Sequence, residues 1–323
     1  MLEIYLRELG KLNKYQLEAV KAKDKYAVLN AAVGSGKTTV LTHKVLYLHL
    51  LENIKLEDIM VLTFTNKAAK EIRNRVLEFS DALKEELKYF GTFHSVAKSI
   101  LADSPKLKDI GYSPDFKVID NEEAAQLLIE IIEKEKLNVK YKSKLIKRIE
   151  EFKKGKVLYG VMKNTDDINE LYSLYTMEKI NRNIMDFDDL IIRCIEILDK
   201  PISPKWIIID EFQDTDLNQL QLIKKLSGES TNIFVIGDPN QEIYSFRTGI
   251  SGVFKEFKRL YNPREYTLPI NYRSSRTIIE AAKVFLGDNP LESSKEYGNK
   301  IIVKKHHDAF NEALYISRKI KGF

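Results

Sequence analysis

The chain has one cysteine among its 323 residues, Cys194 in the apolar segment "LIIRCIEIL". A single thiol excludes an intrachain disulfide and a cysteine-rich metal cluster, and an apolar-flanked cysteine reads as a core residue. No apolar run approaches the ~18–20 residues of a membrane span. The first residues, "MLEIYLRELGKLNKYQ", lack the apolar stretch of a signal peptide. Internal repeats and low-complexity segments are missing too. The charge surplus is small, with 52 Lys and Arg against 47 Asp and Glu, a net of +5. That balance permits a nucleic-acid partner without requiring one. A soluble protein in a reducing, cytoplasmic setting is the expectation, and 44% hydrophobic content is enough for a sizeable core.

What the chain does have is a series of short apolar runs, each ending in small or polar residues and leading towards a helical pattern or a turn. "YAVLNA" leads to a Gly-rich loop, "IMVLTFT" to "NKAAKEIRNRVLEF" with Asn66 as the expected N-cap, "WIIID" to "EFQDTDLNQLQLIKKL", and "NIFVIGD" to a Pro-containing loop. Strands alternating with helices predict a parallel sheet covered on both faces, with ligands at the carboxyl ends of its strands. From about Leu101 to Met185 the pattern is amphipathic and helical, with no persuasive strand, and reads as an all-helical insertion. "MDFDDLIIRCIEILDK" then returns the chain to the sheet. Beyond Leu268, "LPINYRSSRTIIEAAKVFL" reads as strand end, loop and helix, and "NKIIVKKHHDAFNEALYISRKIKGF" as one strand and one helix. Two strands do not make an independent α/β domain, so this part reads as an incomplete second α/β segment. The pair His306-His307 reads as surface.

The loop from Ala31 to Thr38 has the form A-x-x-G-x-G-K-T, with Ala where the P-loop pattern has Gly. Gly34 and Gly36 supply the tight curl that aims backbone amides at phosphate oxygens, helped by the following helix N-terminus. Lys37 would reach the β- and γ-phosphates, and the Thr38 hydroxyl would take Mg²⁺. "WIIIDE" ends a buried strand in two acids: Asp210 suits the metal, and Glu211 suits a general base for the attacking water. The bland alternatives are a chance Gly/Lys turn and a simple helix cap. The two motifs together point to nucleoside triphosphate binding and hydrolysis.

These residues resemble the superfamily-1 DNA helicases of the UvrD/Rep/PcrA type, and the resemblance covers nearly the whole chain. "LNKYQLEAV" resembles the Q motif, "AAVGSGKTT" motif I, "VLTFTNKAAKEIRNRV" motif Ia and "GTFHSVAKSIL" motif Ib. "WIIIDEFQDTD" resembles motif II, "FVIGDPNQEIYSFRTG" motif III and "LPINYRSS" motif IV. The resemblance implies a RecA-like P-loop fold: a first motor domain over 1–100 and 186–267, a helical insertion over 101–185, and the start of a second motor domain over 268–323. It implies ATP and Mg²⁺ as cofactors, with Gln16 on the adenine edge, Ala31, Gly34, Ser35, Gly36, Lys37, Thr38 and Thr39 around the phosphates, and Tyr272 stacked on the base. On spacing alone Gln16 reads as a surface helix residue. Gln241 would sense the γ-phosphate, with Gln213 in the same coupling set, and Arg273 would act as an arginine finger. Single-stranded DNA would meet Thr63, Phe64, Thr65, Asn66, Thr92, His94, Tyr244, Phe246 and Arg247, through aromatic stacking and backbone contacts.

Three departures from the family pattern stand out. Ala32 and Thr39 replace a common Gly and Arg, and the chain stops after motif IV, with no candidate for motifs V and VI. The expectation is therefore a 3′→5′ helicase motor, used in processes such as DNA repair, whose 1–323 portion alone hydrolyses ATP weakly and does not unwind. The alternative is an ATP-gated single-stranded-DNA-binding or regulatory module with little hydrolysis. A monomer is expected, working on single strands and duplex junctions with the remaining half of the motor or another repair protein. The basic stretch "NVKYKSKLIKRIEEFKKGK", with Lys142, Lys144 and Lys147, reads as a solvated face or as a junction contact.

Overall fold

The computed structural model describes residues 2–80, 84–139, 144–153, 167–241, 252–286 and 290–320. The chain forms two compact units. The larger comprises Met1–Ala31 with Lys37–Leu268, and the smaller comprises Ala32–Gly36 with Pro269–Phe323.

The larger unit is built on six strands: β1 (Tyr26–Ala31), β2 (Ile59–Thr63), β3 (Phe90–Thr92), β6 (Trp206–Ile209), β7 (Asn232–Gly237) and β8 (Arg264–Leu268). All pair in parallel, in the order β3-β2-β6-β7-β1-β8. The central runs are apolar without alternation because both faces are covered. Val28, Met60, Leu62, Ile207, Ile209, Ile233 and Val235 enter one core. Their neighbours Ala27, Leu29, Ile59, Val61, Ile208, Phe234 and Ile236 enter the other, as the two-residue strand period requires. Cys194 is fully buried in the first core.

The helices of this unit are α1 (Leu2–Leu9), α2 (Lys14–Lys21), α3 (Lys37–Leu50), α4 (Asn66–Phe79), α5 (Phe93–Asp103), α6 (Asn121–Lys134), α7 (Leu145–Lys153), α8 (Ile168–Asn181), α9 (Phe187–Ile197), α10 (Leu217–Leu226) and α11 (Val253–Tyr261). Several start where the side chain before them satisfies orphan amides. Asn13, Asp120, Asp186 and Asp216 each close a capping box. The cap of α4 is Thr65, whose Oγ1 accepts from the Ala68 amide at 3.2 Å, and Asn66 is the first helical residue. The expected Asn66 cap is thus displaced by one position.

Helices α6, α7 and α8 share their own apolar core around Leu128, Ile131, Leu171 and Tyr175. This stretch is not wholly helical: β4 (Lys117–Val118) pairs in parallel with β5 (Ile184–Met185), bringing its two ends together. A buried ion cluster reinforces that join. Lys153 Nζ donates to Asp186 Oδ1 at 2.5 Å and Asp189 Oδ1 at 3.1 Å. Lys179 Nζ reaches Asp186 Oδ2 at 2.8 Å and also Asp189, and Tyr175 donates to Asp186 at 2.9 Å. Burial alone would raise the Asp186 carboxyl, but the two lysine charges outweigh it and hold it below the usual carboxylate range.

The smaller unit carries β9 (Ile270–Asn271) paired in parallel with β10 (Glu292–Ser293), then α12 (Arg276–Leu286) and α13 (Ala309–Ile320). The strand expected at Ile301–Val303 is irregular backbone there, with Ile302 and Val303 exposed. A β-branched run becomes a strand only when another strand takes its hydrogen bonds, and β9 and β10 pair with each other. His306 is half-buried against Tyr315, with ring centroids 5.1 Å apart, and His307 is exposed. No helix among the described residues is long and apolar enough to cross a membrane.

Candidate functional site

The loop after β1 turns on Gly34 (φ 69°) and Gly36 (φ 90°), and α3 begins at Lys37. Ser35 is buried, and its Oγ donates to Ala32 O at 2.7 Å, closing the turn. Ala31 is the buried last residue of β1. Within the smaller unit, the tip of this loop lies directly on the "NYRSS" turn. Tyr272 N donates to Gly34 O at 2.8 Å, and Asn271 Nδ2 donates to Val33 O at 2.5 Å. A Cβ placed on Gly34 would lie 2.6 Å from Arg273 Cβ. Gly34 is therefore required twice, by its left-handed φ and by this close approach. Tyr272 is 43% exposed.

Within the larger unit, β6 ends at Ile209 and the next residues carry the acids. Lys37 Nζ and Gln213 Nε2 both donate to Glu211 Oε2, each at 2.8 Å. Gln213 Oε1 accepts from Asp238 N at 3.0 Å, and Gln241 Nε2 donates to Asp238 Oδ2 at 2.7 Å. The five side chains form one polar relay from the start of α3, past the end of β6, to the loop after β7. Gly237 makes room for it: a Cβ there would stand 2.4 Å from Gln213 Oε1. The P-loop strand and the acid-bearing strand are separated by β7. Glu211 adopts the left-handed region (φ 48°) and makes no side-chain cap bond. A simple helix cap does not account for such a strained non-glycine residue.

Asp210 is 5% exposed, and its Oδ1 has no hydrogen-bond partner. Desolvation, then the nearby Glu211 charge, push its carboxyl up to about 7. The same two causes raise Asp214 to about 6. A buried carboxylate oxygen without a donor fits a cation better than any protein partner in reach. Thr38 and Asp210 line the same cleft, of about 380 Å³. Among the described residues no group of three or more His, Cys, Asp or Glu side chains is arranged to hold a metal ion. A divalent ion here would be held through one hydroxyl and one carboxylate, the manner in which Mg²⁺ is commonly bound beside phosphates.

The cleft also brings in Phe64, Thr65, Glu211, Gln213, Asp214 and Gln241. Two residues of the expected DNA track therefore share a cavity with the expected hydrolytic group. Phe64 is 47% exposed, while Thr63 is buried, its Oγ1 donating to Thr65 O at 3.0 Å. Asn66 is exposed at the start of α4. Thr92 caps α5 and His94 lies in its first turn. Burial lowers the His94 pKa and favours the neutral ring. Gln16 departs from the surface reading: it is buried at N3 of α2, where its Oε1 accepts from Asn13 N. Thr39 is half-buried in the first turn of α3. Tyr244, Phe246, Arg247 and Lys142 lie outside the described residues.

Three residues without an assigned role emerge from the geometry. Asp238 joins Gln213 to Gln241, and Asp214 lines the cleft. Phe187, 48% exposed, meets the His94 ring edge-on at 5.7 Å. The only signal for Phe187 in the sequence is an aromatic placed directly after the Asp186 cap.

Comparison with known proteins bears on this arrangement. The profile of the UvrD/REP helicase N-terminal domain matches residues 12–262. A probable DNA helicase II homolog of Mycoplasma capricolum is 33% identical over 343 residues, covering 97% of this chain and 47% of the relative. The ATP-dependent DNA helicase PcrA of Bacillus subtilis is 30% identical, covering 97% and 45%. The ATP-dependent DNA helicase Rep of Buchnera aphidicola subsp. Schizaphis graminum is 32% identical, covering 96% and 50%. The chain thus spans about half the length of the curated relatives it matches. With that profile laid over the P-loop, the acid pair and the polar relay alike, the chain belongs to the UvrD/REP helicase N-terminal domain family.

Proposed function

We propose that this chain is the ATP-binding and ATP-hydrolysing motor portion of a 3′→5′ DNA helicase acting on single-stranded DNA. The observation that carries the reading is the cleft in which Thr38, Asp210, Glu211, Gln213 and Gln241 meet Phe64 and Thr65. Lys37 exchanges Glu211 for phosphate oxygens, and the loop amides of 32–36 cradle the phosphates. Thr38 and Asp210 would hold Mg²⁺, which would supply positive charge to neutralise the phosphate oxygens. Glu211, positioned by Gln213, takes the proton of the attacking water. Gln241 reports the γ-phosphate through Asp238 and Gln213. Gln16 and Tyr272 select and stack adenine, and Arg273 stabilises charge on the transferring group. Phe64, Asn66, Thr92, His94 and Phe187 supply stacking faces and polar contacts for the strand. The first motor domain (1–100 and 186–267), insertion (101–185) and second-motor segment (268–323) are part of the same proposal.

Phosphate release measured with and without single-stranded DNA tests it. DNA is expected to stimulate the wild type. Glu211→Gln should keep ATP binding and lose about 10²-fold or more in rate, while Lys37→Ala should weaken binding itself. Turnover indifferent to DNA and to Glu211→Gln favours an ATP-gated binding or regulatory module instead.

A further inference from the structure

Asn271 is 1% exposed and uses both ends of its amide. Its Nδ2 donates to Val33 O in the P-loop at 2.5 Å. Its Oδ1 accepts from Arg273 N at 2.9 Å and Ser274 N at 2.7 Å, folding the chain into a tight turn. Its main-chain carbonyl accepts from Ser294 N at 2.9 Å, tying the same residue to the segment after β10. Beside it, Tyr272 N donates to Gly34 O at 2.8 Å, and Arg273 Cβ sits where a Gly34 side chain would be. One buried side chain therefore fixes two things at once: where the P-loop tip lies on this turn, and how the main chain of Arg273 leaves it. The Asn amide offers a donor and an acceptor on separate atoms at this reach. Asp keeps the acceptor and loses the donor, and Ala loses both.

We propose that Asn271 is a positioning residue that registers the arginine-bearing turn Tyr272–Ser274 against the P-loop, delivering Arg273 at a fixed offset from Gly34. The inference rests on the proposed hydrolytic role of Arg273 for its consequence, but not for its geometry. A clip of this kind matters because a misplacement of about 1 Å at a reacting centre can cost 10²-fold in rate.

Two measurements on the full chain test it. The first is amide hydrogen exchange of wild type, Asn271→Asp and Asn271→Ala. In Asn271→Asp the carboxylate still accepts from Arg273 N and Ser274 N but faces Val33 O with no proton to donate. The Tyr272 amide should then exchange about tenfold faster or more, while the Arg273 and Ser274 amides stay within about threefold of wild type. Asn271→Ala should release all three. The second is ATP turnover in a double-mutant cycle. Asn271→Asp should slow hydrolysis about tenfold when Arg273 is present and by less than about twofold in an Arg273→Ala background, since it acts through Arg273. Unchanged Tyr272 exchange in Asn271→Asp, or rate losses that multiply across the two backgrounds, would overturn the proposal. A wild type without ATP turnover defeats the hydrolytic reading alone, and the exchange measurement still decides whether the clip exists.

Discussion

Replacing Asp210 with Asn is expected to stabilise the nucleotide-free protein at neutral pH while removing its response to Mg²⁺. The structure sets the magnitude. Asp210 is 5% exposed and its Oδ1 has no donor, and its carboxyl is pushed up to about 7, against ~3.9 in an unfolded chain. Because the folded value lies above the unfolded one, ionisation costs more in the folded state. The cost is absent below about pH 4, accumulates as pH rises to about 7, and is constant above that. Three pH units correspond to about 4 kcal/mol, of which roughly half is already present at pH 5.5. The advantage of Asp210→Asn over wild type should therefore grow by about 2 kcal/mol between pH 5.5 and pH 8, read as the difference in urea midpoints multiplied by m. With saturating Mg²⁺ and ATP the order should reverse, because ligand that binds the native wild type stabilises it by mass action and the variant lacks the carboxylate proposed to hold the metal. An advantage that does not change with pH, or a variant less stable than wild type at pH 8 without ligand, would refute the assignment of Asp210 as a buried carboxylate whose Oδ1 lacks a donor.

Two further substitutions probe the frame around the site. Gly34→Ala places a Cβ at φ 69°, 2.6 Å from Arg273 Cβ. It should weaken ATP binding by about tenfold or more, from left-handed strain of ~1–2 kcal/mol plus the clash, and titration calorimetry giving an unchanged Kd would count against it. Lys179→Met leaves Asp186 and Asp189 sharing Lys153 alone in a buried setting. The expected loss is about 3–5 kcal/mol by chemical denaturation, largely recovered when Asp189 is also made Leu; a surface-like loss under 1 kcal/mol would contradict the cluster's burial.

The central strands were legible because they are continuous apolar runs of β-branched and aliphatic residues, and the polar clusters of the candidate site follow their carboxyl ends. Other elements left weaker traces. β3 has only three residues. β8, at the sheet edge, alternates exposed and buried positions in "REYTL", so a search for fully apolar runs passes over all but its end. The run Ile301–Val303 shows the converse, since β propensity without a pairing strand gives no strand. Gln16 looked like a surface residue because its neighbours Lys14 and Glu18 are polar, yet the capping box turns it inward. Local patterns also carry no long-range register. Val33 and Asn271 meet across 238 positions of sequence, and Gln213 meets Asp238 only because β6 and β7 are neighbours.

That strand order also explains why glutamine, rather than a second acid, stands at position 213. Glu211 follows β6, Asp238 follows β7, and Lys37 follows β1 on the far side of β7. A side chain spanning from Glu211 to the Asp238 amide must donate at one end and accept at the other, which an amide does and a carboxylate does not. The arrangement gives Glu211 Oε2 two donors, Lys37 and Gln213. Under the proposed mechanism, Lys37 leaves Glu211 when it turns to phosphate, and the carboxylate then loses its charged donor while keeping the neutral one. Glu211 stays aimed by Gln213, whose other end is fixed through Asp238 to Gln241. Under the proposed mechanism, nucleotide arrival at Lys37 and the link towards the Phe64 side of the cleft run through one hydrogen-bonded chain.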